Sequence, residues 1–372
     1  MKGLSLFANV GIAESYLHEE GIQIVVANEL LKERAEFYQH VYPDCNMICG
    51  DILDEKVFDE VCKASKKENV EFIIATPPCQ GMSPAGKKNP NDERNILITS
   101  VVKMILELRP KYVLIENVTQ VLKTKIWFKN EHVTIPDYLK INLSDDYNFN
   151  NSQKIDSKFY GVPQQRKRAI FLLARKDTNM VWEFPAPNPN FTTLKDVIGD
   201  LPSLDPLVKE KEFRNVFPDY DKKRKKGLKV SKWHIPREHV WRNVECMMHT
   251  PEGMSARKNE VYYPKKKDGT MVGGAPRTYM RMEWNRPAPT ITAYNHTISS
   301  FQNVHPGRPI GNGLYSDARV LTIFELMRVM TLPDNWNVPD WASEQLVRQV
   351  IGEGIPPLMI KKIVHQLGLQ NV

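Results

Sequence analysis

Apolar residues in the first 120 positions come in short runs, each closed by a polar or glycine-bearing stop. Residues 3–7 end at Asn9-Val10-Gly11, residues 22–27 at Asn28-Glu29, and Met47-Ile48 leads into Gly50-Asp51. Residues 72–75 stop at Thr76-Pro77-Pro78, and residues 112–115 at Glu116-Asn117. Short β-branched runs bounded by turn formers read as buried strands. Segments 12–20, 30–40, 57–67 and 96–108 between them carry helical spacing. Strands alternating with helices predict an α/β fold on an open, mostly parallel sheet. Ligands of such sheets sit beyond the carboxyl ends of the strands. Here those ends carry Asn9, Gly11, Glu29, Asp51, Pro78-Cys79 and Glu116.

The pattern then changes. Residues 185–220 are rich in proline and lack long periodic segments, and helical patterning returns at 322–330, 343–350 and 358–367. This organisation predicts a large α/β unit over 1–182, a smaller inserted unit over 183–285, and a segment over 286–372 that returns to the first unit. A composition of 41% hydrophobic and 26% charged residues is that of a globular chain and excludes wholesale disorder. No apolar run approaches the roughly 20 residues of a membrane span. Asn9 interrupts the apolar N-terminal stretch and Glu14 follows it, which does not match a secretory signal. Five cysteines in a chain of 372 residues do not read as a disulfide framework, so a reducing cytoplasm is expected.

Charge adds a second signal. Residues 221–285 hold 16 Lys/Arg against 7 Asp/Glu, a net +9, while the other 307 residues carry −2 of the overall +7. Two runs dominate, Lys222-Lys223-Arg224-Lys225-Lys226 and Lys265-Lys266-Lys267, and Trp233, Trp241, Tyr262, Tyr263 and Tyr279 are interspersed. Basic residues with aromatic neighbours suit a nucleic acid, whose phosphates release counterions on contact. A solvated basic loop is the plainer alternative.

The strand ends suggest an adenosine-containing cofactor. A glycine turn before a helix lets a ligand approach the backbone. Phe7 can stack on adenine or lie in the core; Glu29 can hold ribose hydroxyls or face a helix N-terminus; Asp51 can take an adenine amino group or cap a helix. The Gly-x-Gly-x-x-Gly pattern of dinucleotide sites is missing, which counts against NAD. Cys79 follows a strand end behind two stiffening prolines, a setting that lowers a thiol pKa, and residues 81–95 have the composition of a lid. Cys45, Cys49, Cys62 and Cys246 have no such setting.

Pro77-Pro78-Cys79-Gln80 and Glu116-Asn117-Val118 together resemble motifs of the DNA cytosine-5 methyltransferases. The resemblance continues in order through Gln164-Gln165-Arg166-Lys167-Arg168, Arg286-Pro287-Ala288-Pro289-Thr290-Ile291, residues 319–334 and Gly352-Glu353-Gly354-Ile355-Pro356-Pro357. It implies a Rossmann-like S-adenosylmethionine-dependent methyltransferase domain with a smaller inserted DNA target-recognition domain. Cys79 would add to carbon 6 of a flipped-out cytosine, making carbon 5 nucleophilic, while Glu116 contacts ring nitrogen 3 and Arg166 and Arg168 hold the base oxygen and a phosphate. The cofactor site would draw on Phe7, Asn9, Gly11, Glu29, Asp51, Ile52, Pro78, Leu97, Glu353, Gly354 and Ile355. Duplex DNA would meet Gln80, Ser83 and the two basic runs, and a restriction endonuclease acting on the same site is the implied partner.

The chain departs from the family pattern in its first motif, where Ser5, Asn9 and Ile12 replace an aspartate and two glycines, and at Glu353, where asparagine is usual. Asn9 preserves the turn if it adopts positive φ, which asparagine tolerates. Glu353 is expected to pair with the cofactor's amino group. An RNA cytosine methyltransferase and a non-catalytic DNA-binding regulator are the competing readings; the basic segment of about 100 residues favours duplex DNA over the first.

Overall fold

A computed structural model describes residues 1–78 and 97–369. The first five strands are β1 (Lys2–Leu6), β2 (Gln23–Glu29), β3 (Asn46–Cys49), β4 (Phe72–Ala75) and β5 (Tyr112–Asn117). They pair in parallel in the order β3-β2-β1-β4-β5. After β6 (Lys125–Phe128) and β7 (Glu131–Thr134), which form a separate hairpin, β8 (Tyr147–Phe149), β9 (Lys154–Asp156) and β10 (Lys167–Arg175) extend the sheet. β10 pairs antiparallel with β5, β8 and β9. The strand order reverses between β1 and β4, so the crevice that binds ligands in doubly wound sheets opens at their carboxyl ends.

Helices α1 (Lys32–Val41), α2 (Glu55–Glu68), α3 (Leu97–Leu108) and α4 (Ile135–Leu143) complete the first layers. One apolar cluster joins α2, α3 and α4 to one face of the sheet through Phe58, Val101, Ile105 and Leu139; another covers the opposite face with Trp182, Met359, Ile360 and Ile363. These last three belong to α10 (Pro357–His365), which packs on this face of the sheet. It follows α5 (Leu194–Ile198), α6 (Tyr220–Val230), α7 (Trp241–Met248), α8 (Ile323–Val329) and α9 (Glu344–Glu353).

Two expectations change. The segment 12–20 is not one helix but two 3-10 turns, Ile12–Glu14 and Leu17–Glu20. The Ser15 hydroxyl donates to the Ile12 carbonyl, a local bond that competes with a helical ladder. Glu116 and Asn117 are the last residues of β5 rather than the residues after it. The inserted unit's own core runs from Val208 to Val320, through Val244, Met247, Ile298 and Val304. Leu194, Ile198 and Leu201, inside the expected insert, pack instead with α8 and α9.

A buried ionic network joins the insert to α8. Arg319 donates to Asp317 at 2.8 Å and to both oxygens of Glu325 at 2.8 and 2.9 Å. Arg281 donates to the carbonyls of His305, Asp317, Met247 and Ser316. Arg281 is fully buried, so one charge of the basic segment serves the fold rather than a ligand.

Candidate active site at the carboxyl edge of the sheet

The first strand end is a strained turn. Phe7, Asn9 and Gly11 all have positive φ, at 57°, 51° and 74°. Asn9 thus takes up the left-handed conformation expected of it. At Gly11 a Cβ would lie 2.2 Å from the Tyr42 ring, so glycine is required there. Neighbouring strands hold the turn: the Ala8 N–H donates to Asn28, the Asn9 N–H to Glu29 at 2.9 Å, and the Tyr42 hydroxyl to the Gly11 carbonyl. The second oxygen of Glu29 accepts from the Leu31 N–H at 3.0 Å, beside the start of α1. Glu29 therefore fixes both turns by its first hydrogen bonds, and each oxygen keeps a lone pair. Beneath the turn, the buried Glu14 carboxyl accepts from Ser5, the residue in the aspartate position, at 2.5 Å, and from Tyr38. Burial pushes Glu14 up to about 7, against the lowering effect of those two bonds.

The remaining residues expected at the cofactor site fall on the same edge. Asp51 is exposed beyond β3 and accepts from the Leu53 N–H; the helix cap is Asp54, which removes capping as the role of Asp51. Ile52 is buried, Pro78 is exposed at the end of the described β4 segment, and Leu97 opens α3. Gly354 lies against Ile12, where a Cβ would come within 2.9 Å of the isoleucine side chain, and Ile355 is buried. This donor set fits an adenosine cofactor: the Asn9 Oδ1 atom is buried with no hydrogen-bond partner among the described residues, and the Glu29 carboxylate stands at the strand end.

Glu353 is already engaged. Its Oε2 atom lies 2.8 Å from Arg34 and 3.5 Å from the Asn9 amide, and its Oε1 atom accepts from Gln349 at 2.9 Å. The expected pairing with a cofactor amino group is thus met by a cation of the chain itself. Two departures from the family pattern, Asn9 and Glu353, touch each other.

Glu116 faces the site from β5. It pairs across the sheet with Ile170, and residues two apart share a face, so Arg168 is its diagonal neighbour. The Arg168 Nε atom is 2.7 Å from the Glu116 Oε1 atom, and both side chains are largely buried. Burial raises the Glu116 carboxyl above its ordinary range, while Arg168 and Arg166 pull it down. The next residue, Asn117, donates to the Pro77 carbonyl at 3.0 Å and accepts from the Val118 N–H. This tie between the Pro-Pro-Cys-Gln and Glu-Asn-Val motifs was not visible in the sequence. Cys79, Gln80 and Ser83 lie outside the described residues.

Arg166 departs from its expected place on the base. Its buried guanidinium donates to the carbonyls of Ile291, Gly352 and Glu353 at 2.8, 3.0 and 3.1 Å. The reason is the docking of segment 286–291 on the Gln-Gln-Arg element. Ala288 donates to Pro163, Gln165 to Ala288, Thr290 to Gln165, and Ile291 to the Gln164 side chain. Gly352 admits this closeness, since a Cβ there would lie 2.2 Å from the Thr292 carbonyl oxygen.

The basic runs lie elsewhere on the insert. Lys222, Lys223, Arg224, Lys225 and Lys226 sit on α6, a helix and not a loop, and only Lys223 is not fully exposed, held 2.6 Å from Asp205. Lys265, Lys266 and Lys267 are exposed. A cleft between the two units is lined by Gln165 and Lys167 on one side and Arg277 and Phe301 on the other. Arg277 lies over the Phe301 ring, and neither was singled out from the sequence, where nothing marks them off from other basic and aromatic residues.

Comparison with known proteins extends this geometry. The family described as C-5 cytosine-specific DNA methylase matches residues 1–369. The Type II methyltransferase M1.HgaI of Avibacterium volantium is 44% identical over 99% of this chain and 98% of its own. M.DdeI of Desulfomicrobium norvegicum is 25% identical over 99% of this chain and 88% of its own. Among solved structures, a protein of an Escherichia coli prophage aligns over the whole of both chains with a TM-score of 0.66 at 19% identity. A DNMT2 variant from Spodoptera frugiperda gives 0.59 at 16%, over 100% of this chain and 99% of its own. These two likenesses speak for the fold.

Proposed function

The chain belongs to the C-5 cytosine-specific DNA methylase family, and from that membership we propose how its residues act as a DNA (cytosine-5)-methyltransferase. The observation that carries the reading is the Asn117 to Pro77 hydrogen bond, which joins the Glu-Asn-Val motif to the first proline of the Pro-Pro-Cys-Gln motif at adjoining strand ends. Cys79 is the nucleophile: its thiolate adds to carbon 6 of a cytosine turned out of the duplex, and electron density moves to carbon 5. Glu116 holds ring nitrogen 3. Its raised pKa keeps a proton there at a pH where an exposed carboxyl has lost it, so it can donate as the ring accepts the thiolate. Arg168 orients Glu116 and takes the base oxygen; Arg166 positions the segment 352–353 beside the cofactor turn. After methyl transfer a base takes the carbon 5 proton, the 5,6 double bond re-forms as Cys79 leaves as thiolate, and Glu116 takes back its proton from ring nitrogen 3.

Bound S-adenosylmethionine supplies the electrophilic methyl group. Phe7, Asn9, Gly11, Glu29, Asp51 and Ile52 would hold it, with Glu29 placed for ribose hydroxyls. The Asn9 Oδ1 atom supports this, since a buried acceptor lacking a donor favours a ligand that brings one. The similarity to a Type II methyltransferase supports a place in a restriction-modification system, a cytoplasmic setting on DNA, and a nuclease reading the same sequence.

The test is expression in a host without cytosine-5 methylation, bisulfite sequencing of its DNA, and the same experiment with Cys79→Ser. Protection of one short motif by the parent protein alone is expected. Protection that survives Cys79→Ser removes the covalent route. No protection by a soluble protein that binds S-adenosylmethionine moves the substrate away from DNA.

A further inference from the structure

The β6–β7 hairpin presents a solvent-facing aromatic surface. It follows Asn117 after a single 3-10 turn, Thr119–Lys123, which packs on β10 beside the site. Its central residues Lys129 and Asn130 have φ of 48° and 66°, the pattern of a tight type I′ turn. Strand alternation gives it two unlike faces. Ile126 and Phe128 turn inward, and the Phe128 ring packs edge-on against Tyr138 of α4 at 4.9 Å. Lys125 and Trp127 turn outward with their cross-strand partners Thr134 and His132.

Trp127 is 64% exposed, although the hairpin beneath it is anchored. Its ring meets His132 edge-on at 5.0 Å, so the outer face is an ordered aromatic platform. Lys125 shares this outer face, Lys123 is exposed on the 3-10 turn before it, and the exposed Lys129 reaches over the Phe128 ring; Glu131 is the one acidic residue of segment 119–134. An exposed aromatic ring on a short hairpin that also carries exposed lysines matches nucleic acid, whose phosphates take the charges and whose sugars and base faces take the ring.

We propose that this hairpin is a second DNA contact, on the large unit, that grips the duplex flanking the target cytosine. It rests on the DNA methyltransferase reading above. The occupant is DNA rather than a protein for two reasons: the charge balance of the face, and its continuity with β5, the strand that carries Glu116. The grip would act in register with the insert's basic helix, so that the enzyme holds DNA from both units.

Chromosomal DNA from a host without cytosine-5 methylation and labelled S-adenosylmethionine give the assay. Trp127→Ala should raise KM for DNA about fivefold or more, with Trp127→Phe restoring most of the loss. Lys125→Ala with Lys129→Ala should flatten the dependence of log K on log salt by about 1.8, since each lost phosphate contact removes about 0.9. Both lysines are exposed, so this pair tests the proposal even where the tryptophan variant fails to fold. An unchanged salt slope and KM in the lysine pair overturn the proposal and leave the face to a protein partner. A parent enzyme that transfers no methyl group to DNA fails the functional reading itself. Transfer by the parent with indifferent variants fails the hairpin alone.

Discussion

Arg168 and Glu116 touch through one nitrogen and one oxygen 2.7 Å apart, on diagonal positions of two antiparallel strands. The pairing opposes burial in setting the Glu116 pKa: burial raises it, and the guanidinium lowers it. Removing the cation therefore raises it further. In the proposed mechanism the protonated carboxyl is the active form, so activity falls as pH rises through its pKa. Arg168→Ala should move the alkaline limb of the kcat/KM profile to higher pH and lower its plateau. Glu116→Gln should remove that limb and reduce kcat by about 10² or more. A limb that stays in place in both variants assigns the titration to another group.

Arg166 should behave as a positioning residue. Three carbonyls accept from its guanidinium, two of them in segment 352–353. Arg166→Ala leaves those acceptors buried and unpaired, at a cost of about 3 kcal/mol or more in unfolding free energy. Cofactor affinity should fall with it, because the loosened segment carries Glu353 and leads into Gly354. Calorimetric titration with S-adenosylmethionine and denaturant unfolding check both. Full stability with a selective rise in KM for DNA would return Arg166 to the base.

Much of this architecture is readable from the chain because the parallel strands are buried on both faces, which writes them as continuous apolar runs with polar stops. The runs at 72–75 and 112–115 became β4 and most of β5, and Glu29 and Glu116 lie in the last two residues of their strands. What stayed hidden depends on partners far apart in sequence. Arg166 meets Gly352, Asn117 meets Pro77, and Arg281 disappears among four carbonyls. A guanidinium bound for solvent and one bound for the core look alike in sequence. Proline content marks irregular backbone, while only packing shows which core a segment joins. Leu194, Ile198 and Leu201, inside the proline-rich stretch, join the core of α8 and α9.

Glu353 and Arg34 offer a direct test of the cofactor edge. Their 2.8 Å ion pair joins the last motif to α1, and Asn9 touches the same carboxylate oxygen. The partners are 30% and 16% exposed, so the pair should contribute about 1 kcal/mol after solvent screening. Glu353→Gln and Arg34→Ala should each weaken S-adenosylmethionine binding, and the double variant should lose little more than either single one. Additive losses would mean that Glu353 contacts the cofactor independently of Arg34. An unchanged dissociation constant in Glu353→Gln removes it from the site altogether.

Glu14 makes stability depend on pH with an unusual sign. Burial raises its carboxyl from 4.5 to about 7, so between these values the folded chain holds a proton that the unfolded chain has released. Stability linked to Glu14 is complete below pH 4.5 and declines as pH rises through about 7, at up to about 1.4 kcal/mol per unit. Above pH 7 the site holds a buried charge beneath the Asn9 and Gly11 turn. Glu14→Gln keeps an acceptor for Ser5, and the Tyr38 hydroxyl can rotate to accept from the new amide. This variant should lose the decline, gaining stability over the parent at pH 8 and little at pH 5. Urea unfolding across that range measures it. A parallel shift of the two proteins at every pH would show that Glu14 does not titrate in this window.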